Sequence, residues 1–456
     1  MTQIATLDAP SGAFERIARF NADLRFEDIP ADVTHMAALY MLDLIGVAAA
    51  GGRLEAGRIA RDHAVNHWAP GPDGPSARLL FDGRPASLPG FGFAMATQID
   101  NLDAHDGWQP SLGHAGAALF PALVAFAAAG DLSGREALTA FISGYEIAYR
   151  AALALHATVD DYHTSGAWNA LGCVAIGARL RGLDDDALRH ALGIAEYHGP
   201  RSQMMREIAN PTMLHDGSGF GAPVGILAVL LAGEGFTGAP AATVEFDDAV
   251  FAWDSLGTEW LTTQQYIKPY PICRWAHAAI DAALGLRAAH GITADRIERV
   301  DIGTFSYSAE LNCDVPTTTS NAQYSLAWPV ACALARGRVG VEEVMEASFA
   351  DPELVALTQR VSAHVDAEID TTFPEDRLAS VTVSLRDGTV LESGVTRASG
   401  GPDPQASEAE VVEKFYNFAV PVLGRRRSET IVASTLSLGQ EKSSFQTLLA
   451  TLTDGV

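Results

Sequence analysis

Residues 36–51 read MAALYMLDLIGVAAAG. Wound at 3.6 residues per turn, this stretch is apolar on nearly every side, so a helix formed by it must be surrounded by other elements. The sequence supplies such a surround. Phe14, Ile17, Ala18 and Phe20 give an earlier helix one apolar face. From His114 onward, AGAALFPALVAFAAAG and SGREALTAFISGYEIAYRAALAL read as further helices, the second opened by a Ser133-x-x-Glu136 capping box. Two more apolar helices are expected around 165–181 and 221–233, and EAEVVEKFYNFAV from 408 is helical again. The apolar runs fall short of the ~20 residues of a membrane span and read as buried bundle helices. Pro- and Gly-rich stretches at 69–75 and 83–90 are loops.

The pattern changes after about residue 290. RIERVDIGTF and RLASVTVSLRDGTVLE alternate apolar and polar residues and are rich in Val and Ile, the signature of half-buried strands. Asp387-Gly388 between the last two predicts a hairpin. Helical segments are expected at 325–336 and 340–348. The fold class that follows is mainly α: a large all-helical domain, residues 1–275 and 403–456, interrupted by a smaller α+β lid domain, residues 276–402. A chain of 456 residues is too long for one ordinary core, in keeping with this division.

With 31 Lys and Arg against 56 Asp and Glu, the formal charge is −25. Nucleic acid and anionic membrane surfaces are therefore excluded as partners. An anionic substrate would need a local basic pocket. Cys173, Cys273, Cys313 and Cys332 form no CxxC pair, which argues against a disulfide framework or structural zinc. The first twenty residues show no basic stretch followed by an apolar run, so the expectation is a cytoplasmic protein.

Titratable residues concentrate in four loops at helix edges. In IDNLDAHDGWQPSLGHAG, Asp100, Asp103, His105, Asp106 and His114 lie just ahead of an apolar helix. The N–H groups and dipole at that helix's start favour negative charge. An anion bound there would meet Asp103 as a base and His114 as an acid or electrostatic partner. His163 precedes another apolar helix. His198, Arg201, Arg206 and His215 stand among glycines, and arginines clamp carboxylates bidentately. In YIKPYPICRWAH, two prolines set an extended segment that presents Lys268, Tyr270, Arg274 and His277. Each residue also has a plainer reading as a cap, a turn or a scattered surface charge. Dinucleotide, P-loop, HExxH and GxSxG motifs are missing from the sequence. No histidine pair has ligand spacing, so neither metal nor cofactor is expected.

Taken in order, these segments resemble the MmgE/PrpD family, which includes 2-methylcitrate dehydratases, cis-aconitate decarboxylases and iminodisuccinate epimerase. KPYPICRWAH and LDAHDGWQPSLGHAG carry most of the resemblance. YHTSGAWNALG, LHDGSGFGAPVGILA, NAQYSLAWPVACALA and ASEAEVVEKF add to it. The resemblance implies a helical domain with an α+β lid, an active site between them, and a homodimer. It places the catalytic aspartate at Asp103, the loop histidine at His114, a pocket histidine at His163 and the motif lysine at Lys268. The sequence departs from the family pattern in three places. His215 stands where many members have lysine, Trp328 is read at the position of the decarboxylases' tyrosine, and His105-Asp106 replaces an Asp-Asp pair.

The reading that results is a cofactor-independent enzyme abstracting a proton beside a carboxylate of a small di- or tricarboxylate. Asp103 with His114, and His215 with Lys268, are the expected proton carriers; His163, Arg201, Arg206, Tyr270 and Arg274 are the expected substrate contacts. Altered dehydratase and decarboxylase signatures favour an epimerase of the iminodisuccinate kind, with a 2-methylcitrate-type dehydratase as the alternative. A non-catalytic helical interaction protein would not need titratable groups at four separate loops.

Overall fold

The computed structural model describes residues 10–128 and 130–455. Residues 1–9, over which no export signal was read, lie outside it. The apolar stretch forms the helix Ala31–Gly51, buried along almost all its length. Helices Leu88–Asp100, Gly116–Ala127, Gly134–Thr158, Glu408–Leu423 and Arg425–Leu436 all pack on it. The last two return from the far end of the chain. Gly46 permits that return, since a Cβ there would meet Phe415 Cδ2 at 3.0 Å. Inside this core Lys414 forms an ion pair with Asp43 across 2.6 Å. The Ser133–Glu136 capping box opens the Gly134–Thr158 helix as expected.

The smaller part is built on a sheet. Ile297–Thr304 pairs in parallel with Val361–Val365 on one side and antiparallel with Leu378–Leu385 on the other. Leu378–Leu385 alternates buried and half-buried residues, as its sequence pattern requires. Asp387-Gly388 makes the hairpin to Val390–Glu392, with Gly388 at φ 88°. Helices His277–His290 and Ala327–Arg336 pack against this sheet. The helix expected at 340–348 is two short 3-10 turns, Val341–Val344 and Glu346–Ser348. They are split at Met345, whose backbone is extended, and Glu343 folds back to accept from the Gly340 N–H.

Two hydrophobic cores result. One is formed mostly by residues before 268 and after 410; the other runs from Ile272 to Ala398. Ile272, Cys273 and Trp275 therefore belong to the second core, slightly ahead of the boundary read from sequence, and Met204 and Ile208 join them. The chain crosses between the parts twice, and the crossings are bonded to each other. The Ile267 N–H donates to Gly400 O across 2.9 Å. Gly400 has φ 76°, and a Cβ there would lie 2.2 Å from Ile267 O, so only glycine fits this approach.

Candidate active site

The helix Leu88–Asp100 ends at the Asp-rich loop, and Asp103 sits in the left-handed region at φ 54°. Just beyond it, Asp106–Gly107 pairs antiparallel with Tyr266–Ile267. That short ladder brings the two most family-like segments together. Lys268 Nζ donates to Asp103 Oδ1, with both side chains buried. Burial raises the Asp103 carboxyl above the ordinary carboxylate range, opposed by the Lys268 ammonium. Burial pulls Lys268 down, but the Asp103 charge and hydrogen bond, together with Tyr266 and Cys273, outweigh it and hold the ammonium above its ordinary value. The result is a base of increased proton affinity beside a cation.

His114 is oriented from behind. Its Nδ1 donates to Asp106 O across 2.6 Å, which leaves Nε2 free of hydrogen and 3.4 Å from Asp216 Oδ2. Burial, then the charges of Lys268 and His105, push the His114 imidazole well below its ordinary value. Burial, then the Asp100 charge, lift the Asp216 carboxyl to about 7. A protonated Asp216 would thus face the unprotonated Nε2 of a neutral imidazole. Ser165 ties the two residues together, accepting from the His114 N–H at 2.9 Å and donating to Asp216 Oδ1 at 3.2 Å.

The other residues of this loop support rather than face the cavity. The Gly116 N–H donates to Asp106 Oδ2 at 3.2 Å, so the helix N-terminus expected to hold an anion is already capped by Asp106. Asp100 accepts from the Ser218 N–H at 3.0 Å, capping the next helix. His105 Nε2 lies 3.2 Å from the other oxygen of Asp100.

A closed cavity of about 30 Å³ is lined by Asp103, His114, Asp216, Lys268, Tyr162, Tyr266, Tyr324, Cys273, Arg274 and Arg377, with apolar neighbours. That is the space of one water, so a carboxylic acid enters only if the lid part moves. Beside it lies an 820 Å³ vestibule that shares Leu112, Tyr266, Arg274 and Arg377 with the cavity wall.

The structure therefore gathers Asp103, His114, Lys268 and Arg274 from the expected set. It sends the others elsewhere. His215 is buried at φ 39° with its ring on Tyr324 and neither ring nitrogen bonded; burial pushes it down to about 3, and Asp216 takes the cavity wall instead. His163 pairs with Gln203 in an isolated bridge, and its neighbour Tyr162 lines the cavity. Arg201 and Arg206 are exposed, because the segment between them turns Met204 inward. Tyr270 donates to Asp281 and packs on His277, away from the cavity. Trp328 is in the lid core, its indole N–H donating to Glu343 O at 2.8 Å. Tyr324, four residues earlier and ahead of that helix, does line the cavity and donates to Glu207. Asp216 and Tyr324 lie in LHDGSGFG and NAQYSLAW, each close to a residue with an equally plausible local signal; Arg377 has no local signal.

Asp103, His114 and Asp216 also bring potential metal-ligand atoms within 4.8 Å of one another, which linear spacing did not reveal. Lys268 occupies Asp103 with a positive charge, and a cation beside it would be repelled. Activity is expected to survive exhaustive chelation. Elemental analysis finding about one metal per chain, lost together with activity, would refute this.

The MmgE/PrpD N-terminal domain matches residues 15–261, and the MmgE/PrpD C-terminal domain matches residues 270–438. Among curated proteins, a cis-aconitate decarboxylase of Aspergillus terreus is 24% identical over 96% of this chain and 95% of its own length. A cis-aconitate decarboxylase-like protein, oryM, of Aspergillus oryzae is 23% identical over 91% of this chain and 92% of its own. With both domains matched in order and the loops at 100–114, 215–218 and 266–274 meeting in one cavity, this chain belongs to the MmgE/PrpD family of enzymes.

Proposed function

We propose that this enzyme is a cofactor-independent lyase acting on a small di- or tricarboxylate. The observation that supports it is the meeting of two proton-holding pairs, Asp103–Lys268 and His114–Asp216, in one closed cavity. In elimination, Asp103 takes the proton beside the substrate carboxylate and Lys268 offsets the enolate-like charge. The C–H electron pair becomes the new double bond, and the proton on Asp216, relayed by His114, leaves with the departing hydroxyl. In decarboxylation, the reaction that the names of the Aspergillus relatives give, the C–C bond to a carboxylate breaks, carbon dioxide leaves, and the electron pair left on carbon takes a proton from the same groups.

Epimerisation is the second reading, favoured by there being two such pairs. The partner on the second face would then be His114–Asp216, since Lys268 stands with Asp103 and His215 does not reach the wall. Proton NMR in D₂O with cis-aconitate, 2-methylcitrate and iminodisuccinate separates these. A lyase changes the vinyl signals of one acid, and an epimerase washes deuterium into one without net conversion. An inert response to all three counts against both readings.

We further propose a homodimer. Met213, Leu214, Phe220 and Leu227 leave apolar surface exposed on the loop and helix that carry Asp216. Light scattering at micromolar concentration is expected to give twice the chain mass; a monomer would contradict this.

A further inference from the structure

Arg377 stands at the start of the strand Leu378–Leu385, in the lid. It is 7% exposed, and its Nε and Nη1 have no hydrogen-bond partner. A buried guanidinium left this way loses its hydration without replacement, a cost of several kcal/mol in general, so an anion is the expected counterpart. Its surroundings supply none. Arg274, on the same wall, donates only to the carbonyls of Ser399 and Ala398 besides approaching His277. Neither arginine forms an ion pair among the described residues. Of the cavity carboxylates, Asp103 is already matched by Lys268, and burial raises the Asp216 carboxyl to about 7, opposite His114. Glu207, just behind Tyr324, is pushed well above the usual carboxylate range by burial. Asp281 acts on the Arg274 charge, so Arg377 is the cavity arginine left with unpartnered donors, in a chain of net charge −25.

Position adds to charge. Arg377 and Arg274 belong both to the closed cavity and to the vestibule, so they stand where an entering acid passes from one to the other. The segment before Arg377 is held to the helical part by Gln109, whose amide donates to the carbonyls of Pro374 and Glu375. The guanidinium is therefore carried on a lid segment docked against the catalytic loop.

We propose that Arg377 is the residue that selects substrates bearing a second carboxylate, binding it while Lys268 and Asp103 address the reacting end. This rests on the reading of the cavity as a carboxylate-processing site. The unpartnered N–H groups of the guanidinium offer a carboxylate charge-assisted hydrogen bonds, and Arg274 beside it supplies further positive field. A monocarboxylate leaves those donors unmatched and is discriminated against for that reason.

The test is calorimetric binding of succinate and of propionate to the full-length protein, independent of turnover. Wild type is expected to bind succinate more tightly by on the order of 10- to 100-fold, the scale of charge-assisted hydrogen bonds. Arg377→Met is expected to abolish that preference and leave propionate affinity unchanged. Arg377→Lys, which keeps charge but not the guanidinium and guards against misfolding of the first variant, is expected to restore part of it. Equal weakening of both acids, an unchanged preference in both variants, or a wild type blind to succinate overturns the assignment. Absence of deuterium exchange or conversion in wild type, with the binding preference intact, would instead count against the lyase and epimerase readings.

Discussion

Asp103→Asn is expected to lower kcat by ~10²-fold or more, the scale of a lost general base. The substitution keeps the shape, and asparagine tolerates the left-handed φ of 54° at this site. It does not keep the electrostatics. Lys268 is 1% exposed and Asp103 is the carboxylate it bonds. Removing one member of a buried pair strands the other, at a cost of about 3–5 kcal/mol, unless the lysine gives up its proton. The variant should therefore be both slow and less stable. The double variant Asp103→Asn/Lys268→Met separates the two effects. Its urea midpoint should recover toward wild type while turnover stays lost. Turnover that recovers along with stability would mean that the pair only holds the fold.

The largest effect on stability away from the cavity is expected at Arg150. This side chain is wholly buried in the Gly134–Thr158 helix and bonds Glu146 one turn before it. Its other nitrogen donates to Glu259 O at 2.9 Å and Ser255 Oγ at 3.2 Å. Glu146 in turn accepts from the N–H groups of Leu261 and Thr262 at 3.2 and 2.9 Å. The pair thus anchors the segment that leads through Gln265 and Tyr266 to Lys268. Arg150→Met should cost about 3–5 kcal/mol in urea unfolding by leaving Glu146 charged and buried. Weaker substrate binding should follow, since Lys268 loses its approach. Arg25→Met, at an exposed pair on the surface, should scarcely move the midpoint. Similar small shifts for both variants would mean that the buried pair carries no such weight.

The sequence by itself determined the elements. An apolar stretch with no polar face had to become a surrounded helix, and Ala31–Gly51 is one. Alternation of Val, Ile and polar residues had to give strands, and Asp387-Gly388 had to turn between two of them. These features are legible because they depend on neighbours within a turn or two of the chain. The same local reading failed at 340–348, where Met345 adopts an extended backbone that periodicity does not encode.

Only the tertiary structure decided which titratable groups meet. Asp103 and Lys268 are 165 residues apart and are joined by a two-residue ladder between their loops. At the His215-Asp216 step, one residue's difference in direction determines which side chain reaches the cavity. The left-handed backbone at His215 turns its ring onto Tyr324 and puts Asp216 opposite His114. Arg377 carries no motif, since its chemistry arises from burial without a counter-charge. Burial and partnership are properties of packed surfaces from distant segments, and those depend on how helices and lid come together rather than on the order of residues along any one of them.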